Sequence, residues 1–129
     1  MDKSLDVESF ISAITPLLKT HGFKKKGSTW RREQKESIAV FNVQKSQWGG
    51  GAYYINAGTY FPELGDETSP TENKCHVRRR LEIEEPSEVI NKAIAWFEER
   101  ASIERAKSLA ESDATKGLVS SKLRSGNPD

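Results

Sequence analysis

Three consecutive glycines, Gly49-Gly50-Gly51, stand between two runs of alternating polarity. Glycine readily takes the positive φ that tight turns demand, so the pattern predicts a β-hairpin and with it an antiparallel sheet. Before the glycines, residues 37–48 place Ala39, Phe41 and Val43 on one side and Ile38, Val40, Asn42, Gln44 and Ser46 on the other. After them, residues 52–61 are rich in tyrosine and β-branched side chains, as suits a return strand. Two more segments extend the sheet to four strands. One is a basic ribbon over residues 23–33 containing Trp30, joined by a turn at Gln34-Lys35-Glu36. The other covers residues 74–83, after an acidic loop over residues 62–73 with two prolines.

Helical spacing flanks the sheet. Val7, Phe10, Ile11, Ile14, Leu17 and Leu18 make one apolar stripe over residues 5–20. Pro16 lacks the donor a helix interior needs, so a kink or restart is expected there, with Thr15 capping a second segment. His21-Gly22 is the expected stop. Pro86-Ser87 opens a second helix with Ser87 as its cap, burying Val89, Ile90, Ala93, Ile94, Trp96 and Phe97. The pattern continues through Ile103, Ala106, Leu109 and Ala110, as one long helix or after a break at residues 100–102. The expected fold is α+β: an N-terminal helix, a four-stranded antiparallel sheet and a C-terminal helical segment packed on the sheet. Residues 1–112 make one domain, and the polar residues 113–129 a flexible tail with a turn near residues 118–123.

A chain of 129 residues fits one domain. The lone Cys75 excludes an intrachain disulfide and suits a reducing compartment. No apolar run approaches the roughly 20 residues of a membrane helix, and the first residues lack the apolar stretch of a signal peptide. A cytoplasmic location without membrane contact is expected. With 20 basic and 19 acidic residues the net charge is +1, which disfavours a nucleic-acid coat. The charges are nonetheless clustered: Lys24-Lys25-Lys26 with Arg31-Arg32, and Arg78-Arg79-Arg80, against acidic runs at residues 63–72 and 82–85.

Alternation also sorts the sheet into faces. With Phe41, Val43, Ile55, Ala57, Cys75, Val77 and Leu81 on the core side, the other side carries Asn42, Gln44, Tyr54, Asn56, His76, Arg78 and Arg80. Side chains directly opposite on neighbouring strands lie about 5 Å apart, so amides, a phenol, an imidazole and two guanidiniums would share a patch. Guanidinium suits carboxylate or phosphate, and amides orient what binds. The same pattern also describes the solvated face of a half-buried antiparallel sheet. Trp48, at the strand end, is either an anchor for a partner or a lid on the core.

No catalytic set emerges. Cys75 and His76 are strand neighbours that point to opposite faces, whereas a dyad needs hydrogen-bond reach. No C-x-x-C pair supports zinc, and the acids are not paired for general acid/base work. Lys24-Lys25-Lys26-Gly27-Ser28 lacks the first glycine of a phosphate loop, and its lysines read as a guard against edge-to-edge pairing. No cofactor or metal is expected.

Several segments together resemble the bacterial family called domain of unknown function 4304. They are Gly22-Phe23-Lys24-Lys25-Lys26-Gly27 with Trp30 and Arg31, Asn42-Val43-Gln44-Lys45-Ser46 with Trp48-Gly49, Ile55-Asn56, Gly58-Thr59-Tyr60-Phe61-Pro62, and Cys75-His76-Val77-Arg78-Arg79-Arg80. The likeness covers about residues 5–100, with the acidic run after Arg80 and the tail beyond Ser112 unmatched. It implies a small α+β fold in a bacterial cytoplasm. It places the family's polar positions on Asn42, Gln44, Ser46, Asn56, His76, Arg78 and Arg80. Some similar small proteins are suspected immunity partners of toxins. The expected role is therefore a protein-binding module, an immunity protein that neutralises a cognate toxin effector. The alternative is a domain that binds an anionic small molecule or nucleotide on the basic polar face, with His76 as the only candidate base.

Overall fold

The computed structural model describes residues 6–46, 51–112 and 118–119. Helix α1 spans Val7–Thr20. The Asp6 carboxylate caps it, accepting from the Ser9 N–H at 2.7 Å. The helix buries Phe10, Ile14 and Leu18 and continues through Pro16 without the expected restart. Pro16 and Ser12, whose carbonyl loses its i+4 donor to the proline, both lie on the exposed side. Water can satisfy that carbonyl, so the helix need not break.

The basic ribbon folds into two strands rather than one. Gly27, at φ +64°, turns β1 (Lys24–Lys26) onto β2 (Thr29–Glu33). Then come β3 (Ile38–Lys45), β4 (Tyr53–Tyr60) and β5 (Val77–Leu81). The expected four strands thus become five. A two-residue strand β6 (Leu118–Val119), where a turn was expected, adds antiparallel along β5. The rest of residues 113–129 lies outside the described residues. The sheet is a meander in the order β1-β2-β3-β4-β5-β6.

Helix α2 (Pro86–Glu99) starts at Glu85-Pro86, so Ser87 sits inside the first turn instead of capping it. The pattern then breaks at residues 100–102 before α3 (Ile103–Ser112). One sheet face meets the helices. Trp30, Phe41, Val43, Ile55 and Ala57 pack with Phe10, Ile14 and Leu18 of α1, with Ile90, Ala93 and Phe97 of α2, and with Ala106 of α3.

The loop over residues 61–76 begins in the main core, where Phe61 and Leu64 are buried, and then lays a second, smaller layer on the opposite face. They contain two short 3-10 turns, Pro62–Leu64 and Glu72–Lys74. Ile38, Val40, Tyr60 and Cys75 make a separate buried cluster there. The layer lies so close that a Cβ on Gly58 would come within 2.7 Å of Cys75 Sγ. Polar ties hold it down. The Glu67 N–H donates to the Tyr60 hydroxyl at 2.8 Å, the Phe61 N–H to His76 Nδ1 at 3.0 Å, and Arg31 Nε to the Pro70 carbonyl at 2.8 Å.

Candidate functional site

Antiparallel register arranges the second face in cross-strand rows. The row nearest the loop's core pairs Ile38 with Tyr60. The next runs Arg31, Val40, Gly58, Arg78. The third runs Thr29, Asn42, Asn56, Arg80 across β2, β3, β4 and β5, with the Gln44–Tyr54 pair beyond it.

The third row is a directed hydrogen-bond ladder. Arg80 Nε donates to Asn56 Oδ1 at 3.3 Å. Asn56 Nδ2 donates to Asn42 Oδ1 at 3.1 Å and to Gln44 Oε1 at 3.2 Å. Asn42 Nδ2 donates to Thr29 Oγ1 at 3.1 Å and to the Ser28 carbonyl at 3.3 Å. Each amide accepts from one side and donates to the other, so the bonds polarise one another in a common sense. Asn56, 4 % exposed, is the hub. At the open end the Arg80 guanidinium lies 4.3 Å from the centre of the Tyr54 ring. Arg80 and Gln44 are exposed and Tyr54 half-buried. The ladder fixes Arg80 Nε and Gln44 Oε1, which leaves the guanidinium's terminal nitrogens and Gln44 Nε2 to donate outward. This plateau presents donors to carbonyls or carboxylates.

Five of the expected residues, Asn42, Gln44, Tyr54, Asn56 and Arg80, therefore come together. Ser46 sits at the hairpin end, its N–H donating to the Ala52 carbonyl at 2.9 Å. Trp48 lies outside the described residues. Arg78 is on the same face but is engaged by Glu72, through Nε at 2.7 Å and Nη2 at 3.3 Å. That bond raises the guanidinium's pKa and fills its fork.

Cys75 departs from the expected core side, whereas His76 stays beside Tyr60 of the second face but is buried there. Strand β5 begins only at Val77, and the 3-10 turn at Glu72–Lys74 precedes it, so alternation cannot be counted back to Cys75. Cys75 packs under the loop against Gly58 rather than in the main core. Burial pushes its thiol up to about 12, with the Glu72 charge adding to the effect. His76 is buried, stacked 4.7 Å from Tyr60, and its Nδ1 accepts the Phe61 N–H. A lone pair held this way orders the loop and does not serve as an exposed base. Among the described residues no group of three or more His, Cys, Asp or Glu side chains is placed to hold a metal ion.

Three contributors escaped the sequence. Glu72, one of the acids of the loop over residues 62–73, engages Arg78. Thr29 and Arg31 join the face because β2 is a strand of its own, and alternation within residues 29–33 would have shown it. A groove of about 460 Å³ between β5 and α2 carries Arg79, Arg80, Lys92 and Arg100 against Glu82, Glu84 and Glu99, so most of its charges cancel. In it Lys92 pairs with Glu84 at 2.6 Å.

No helix among the described residues is long and apolar enough to cross a membrane. Comparison with curated proteins and with solved structures gave no match. A family model, Domain of unknown function (DUF4304), matches residues 14–115, and so includes the acidic run and α3 that the resemblance left out. The match takes in every strand from β1 to β5 and the whole ladder, and on that extent the chain belongs to the DUF4304 family.

Proposed function

We propose that this protein is a binding module for another protein, an immunity protein of a bacterial cytoplasm that neutralises a cognate toxin by covering its active surface. The observation that carries the reading is the Arg80–Tyr54 stack, held in place by a buried Asn56 and open to solvent. Arginine and tyrosine are the residues that most often dominate interface energies, and a side chain already ordered loses less entropy on binding. The acidic loop supports it as well. Glu63, Asp66 and Glu67 are exposed, and a basic partner would be steered toward them. An anionic ligand at Arg78 and His76 has less support, because Arg78 is bridged by Glu72 and His76 is buried.

The test is co-expression with the product of the adjacent gene. A one-to-one complex and rescue of cells expressing that product are expected. Arg80→Ala should weaken the complex by about 2 kcal/mol, roughly thirtyfold, while costing the fold no more than about 1 kcal/mol. Absence of both binding and rescue would sink the proposal.

A further inference from the structure

A second cleft lies at the opposite edge of the same face, between the β1–β2 hairpin and the loop at residues 68–70. Its volume is about 450 Å³, within the roughly 300–1,000 Å³ of small-molecule sites. Lys24, Lys26 and Arg31 supply its cations, Thr68 and Ser69 its hydroxyls, and Ile38 an apolar patch of wall. Glu33 is the one acid on the lining. Register sets Lys24 directly opposite Arg31, and Lys26 opposite Thr29, so the charges lie on one face of the hairpin. Lys25 also borders the cleft, but its ammonium lies 5.6 Å from the centre of the Trp30 ring.

An edge strand carries lysines to repel other edges, which accounts for Lys24 and Lys26 taken alone. It does not account for the groups that face them. Arg31 is not a loose surface cation: its Nε is fixed to the Pro70 carbonyl at 2.8 Å, which aims the rest of the fork. The bond comes from the loop that also brings Thr68 and Ser69 to the cleft. Among the described residues neither lysine nor Arg31 has a carboxylate within ion-pair distance. Three cations outside any ion pair, one pre-oriented, against a single acid and with two hydroxyls on the lining, are the chemistry that recognises a phosphate group.

We propose that this cleft binds a small phosphorylated molecule, with its phosphate between Arg31, Lys24 and Lys26 and its organic part along Ile38. The site is separate from the Arg80 plateau, so each proposal can fail alone. The experiment is a titration of the full chain with pyrophosphate, with AMP and with citrate, followed by backbone amide shifts and by calorimetry. Pyrophosphate and AMP should saturate at a dissociation constant of about 1 mM or tighter, with shifts centred on residues 24–33 and 68–70. Citrate should bind at least about tenfold more weakly, since it lacks the phosphate. Lys24→Ala/Lys26→Ala, both exposed, should weaken AMP at least about tenfold while the fold is kept. Arg31→Lys, which keeps the charge and loses the fork, should do the same. Binding that fails to saturate, or that both variants leave unchanged, overturns the proposal. So does affinity for a single-stranded oligonucleotide that rises with its length, because a small-molecule site gains nothing from a longer strand.

Discussion

Asn56→Asp is an isosteric change that tests whether the ladder is a connected unit. It replaces two N–H donors, aimed at Asn42 Oδ1 at 3.1 Å and Gln44 Oε1 at 3.2 Å, with an oxygen. Gln44 is exposed and can turn its amide to adapt. Asn42 cannot, because its own N–H groups are spent on Thr29 and Ser28. A protonated acid still donates one bond, so the neutral form should cost about 1 kcal/mol for the other. Ionisation loses the second bond and sets a charge where Asn56 is only 4 % exposed. The exposed Arg80 returns less than about 1 kcal/mol of this. The total at pH 7 comes to about 2–3 kcal/mol, and the added 1.5 or so corresponds to a carboxyl pKa raised by about one unit, from about 3.9 to about 5. A raised folded-state pKa favours the protonated form in the fold. The extra loss is therefore absent below about pH 4, grows as pH rises through the interval, and is complete above about pH 6. Urea unfolding of both proteins at pH 4 and pH 7 measures it. With m near 1–2 kcal/mol/M, the midpoint should fall by more than about 1 M at pH 7 and by about half as much at pH 4. Adding Arg80→Ala should deepen the pH 7 loss. An equal loss at both pH values, or one below about 0.5 kcal/mol, would refute the idea that Asn56 links the strands by donating to β3 and accepting from β5.

Three other outcomes rest on named contacts. Pro16→Ala restores a helix donor on the exposed side of α1 and should raise stability by about 1–3 kcal/mol, read from the thermal midpoint. Gly58→Ala drives a Cβ to 2.7 Å from Cys75 Sγ and should cost about 1–3 kcal/mol. Cys75→Gly in the same chain should give back part of that cost, a coupling that chemical denaturation of the four variants would show. Cys75, with its thiol up at about 12, should resist iodoacetamide at pH 8 in the folded protein and react readily in urea. Its folded pKa lies above the unfolded one, so its contribution to stability is whole below about pH 9. Above that it declines by up to about 1.4 kcal/mol per pH unit, a slope that Cys75→Ala should remove.

The fold was legible where burial imposes a period. The α1 stripe and the alternation of β3 and β4 are both consequences of one face meeting the core, and both segments stand where the pattern sets them. Boundaries governed by a few backbone torsions were not legible. Gly27 turned one basic ribbon into two strands, and the 3-10 turn at Glu72–Lys74 delayed β5, because a turn set by a few torsions leaves no periodic mark in the sequence, although Val77, Arg78, Arg80 and Leu81 after it keep their expected parity. The ladder was half visible. Asn42, Gln44, Asn56 and Arg80 share a face by parity alone, whereas the register that joins them depends on pairings between strands. The bond of Glu72 to Arg78 had no sequence signal, since a loop acid looks solvated until the loop's path is known.

That path is what gives the second face its character. An antiparallel sheet with helices on one side would ordinarily leave the other face to water. Here the later part of the loop covers the end of it that carries Ile38, Val40 and Tyr60, and it does so by tethering Pro70 to Arg31 and Glu72 to Arg78, one on each side of the strands it crosses. The loop thus takes Arg78 out of use and fixes Arg31 by one nitrogen only. Arg80 on one flank, and Lys24 and Lys26 on the other, stay unmatched by any carboxylate among the described residues, while Glu63, Asp66 and Glu67 stand exposed on the loop between them. A net charge of +1 is then the sum of separated patches, whose fields cancel at a distance and act at contact range, within about one Debye length of 8–10 Å. A partner approaching this face would be oriented by those signs before it met the Arg80–Tyr54 stack.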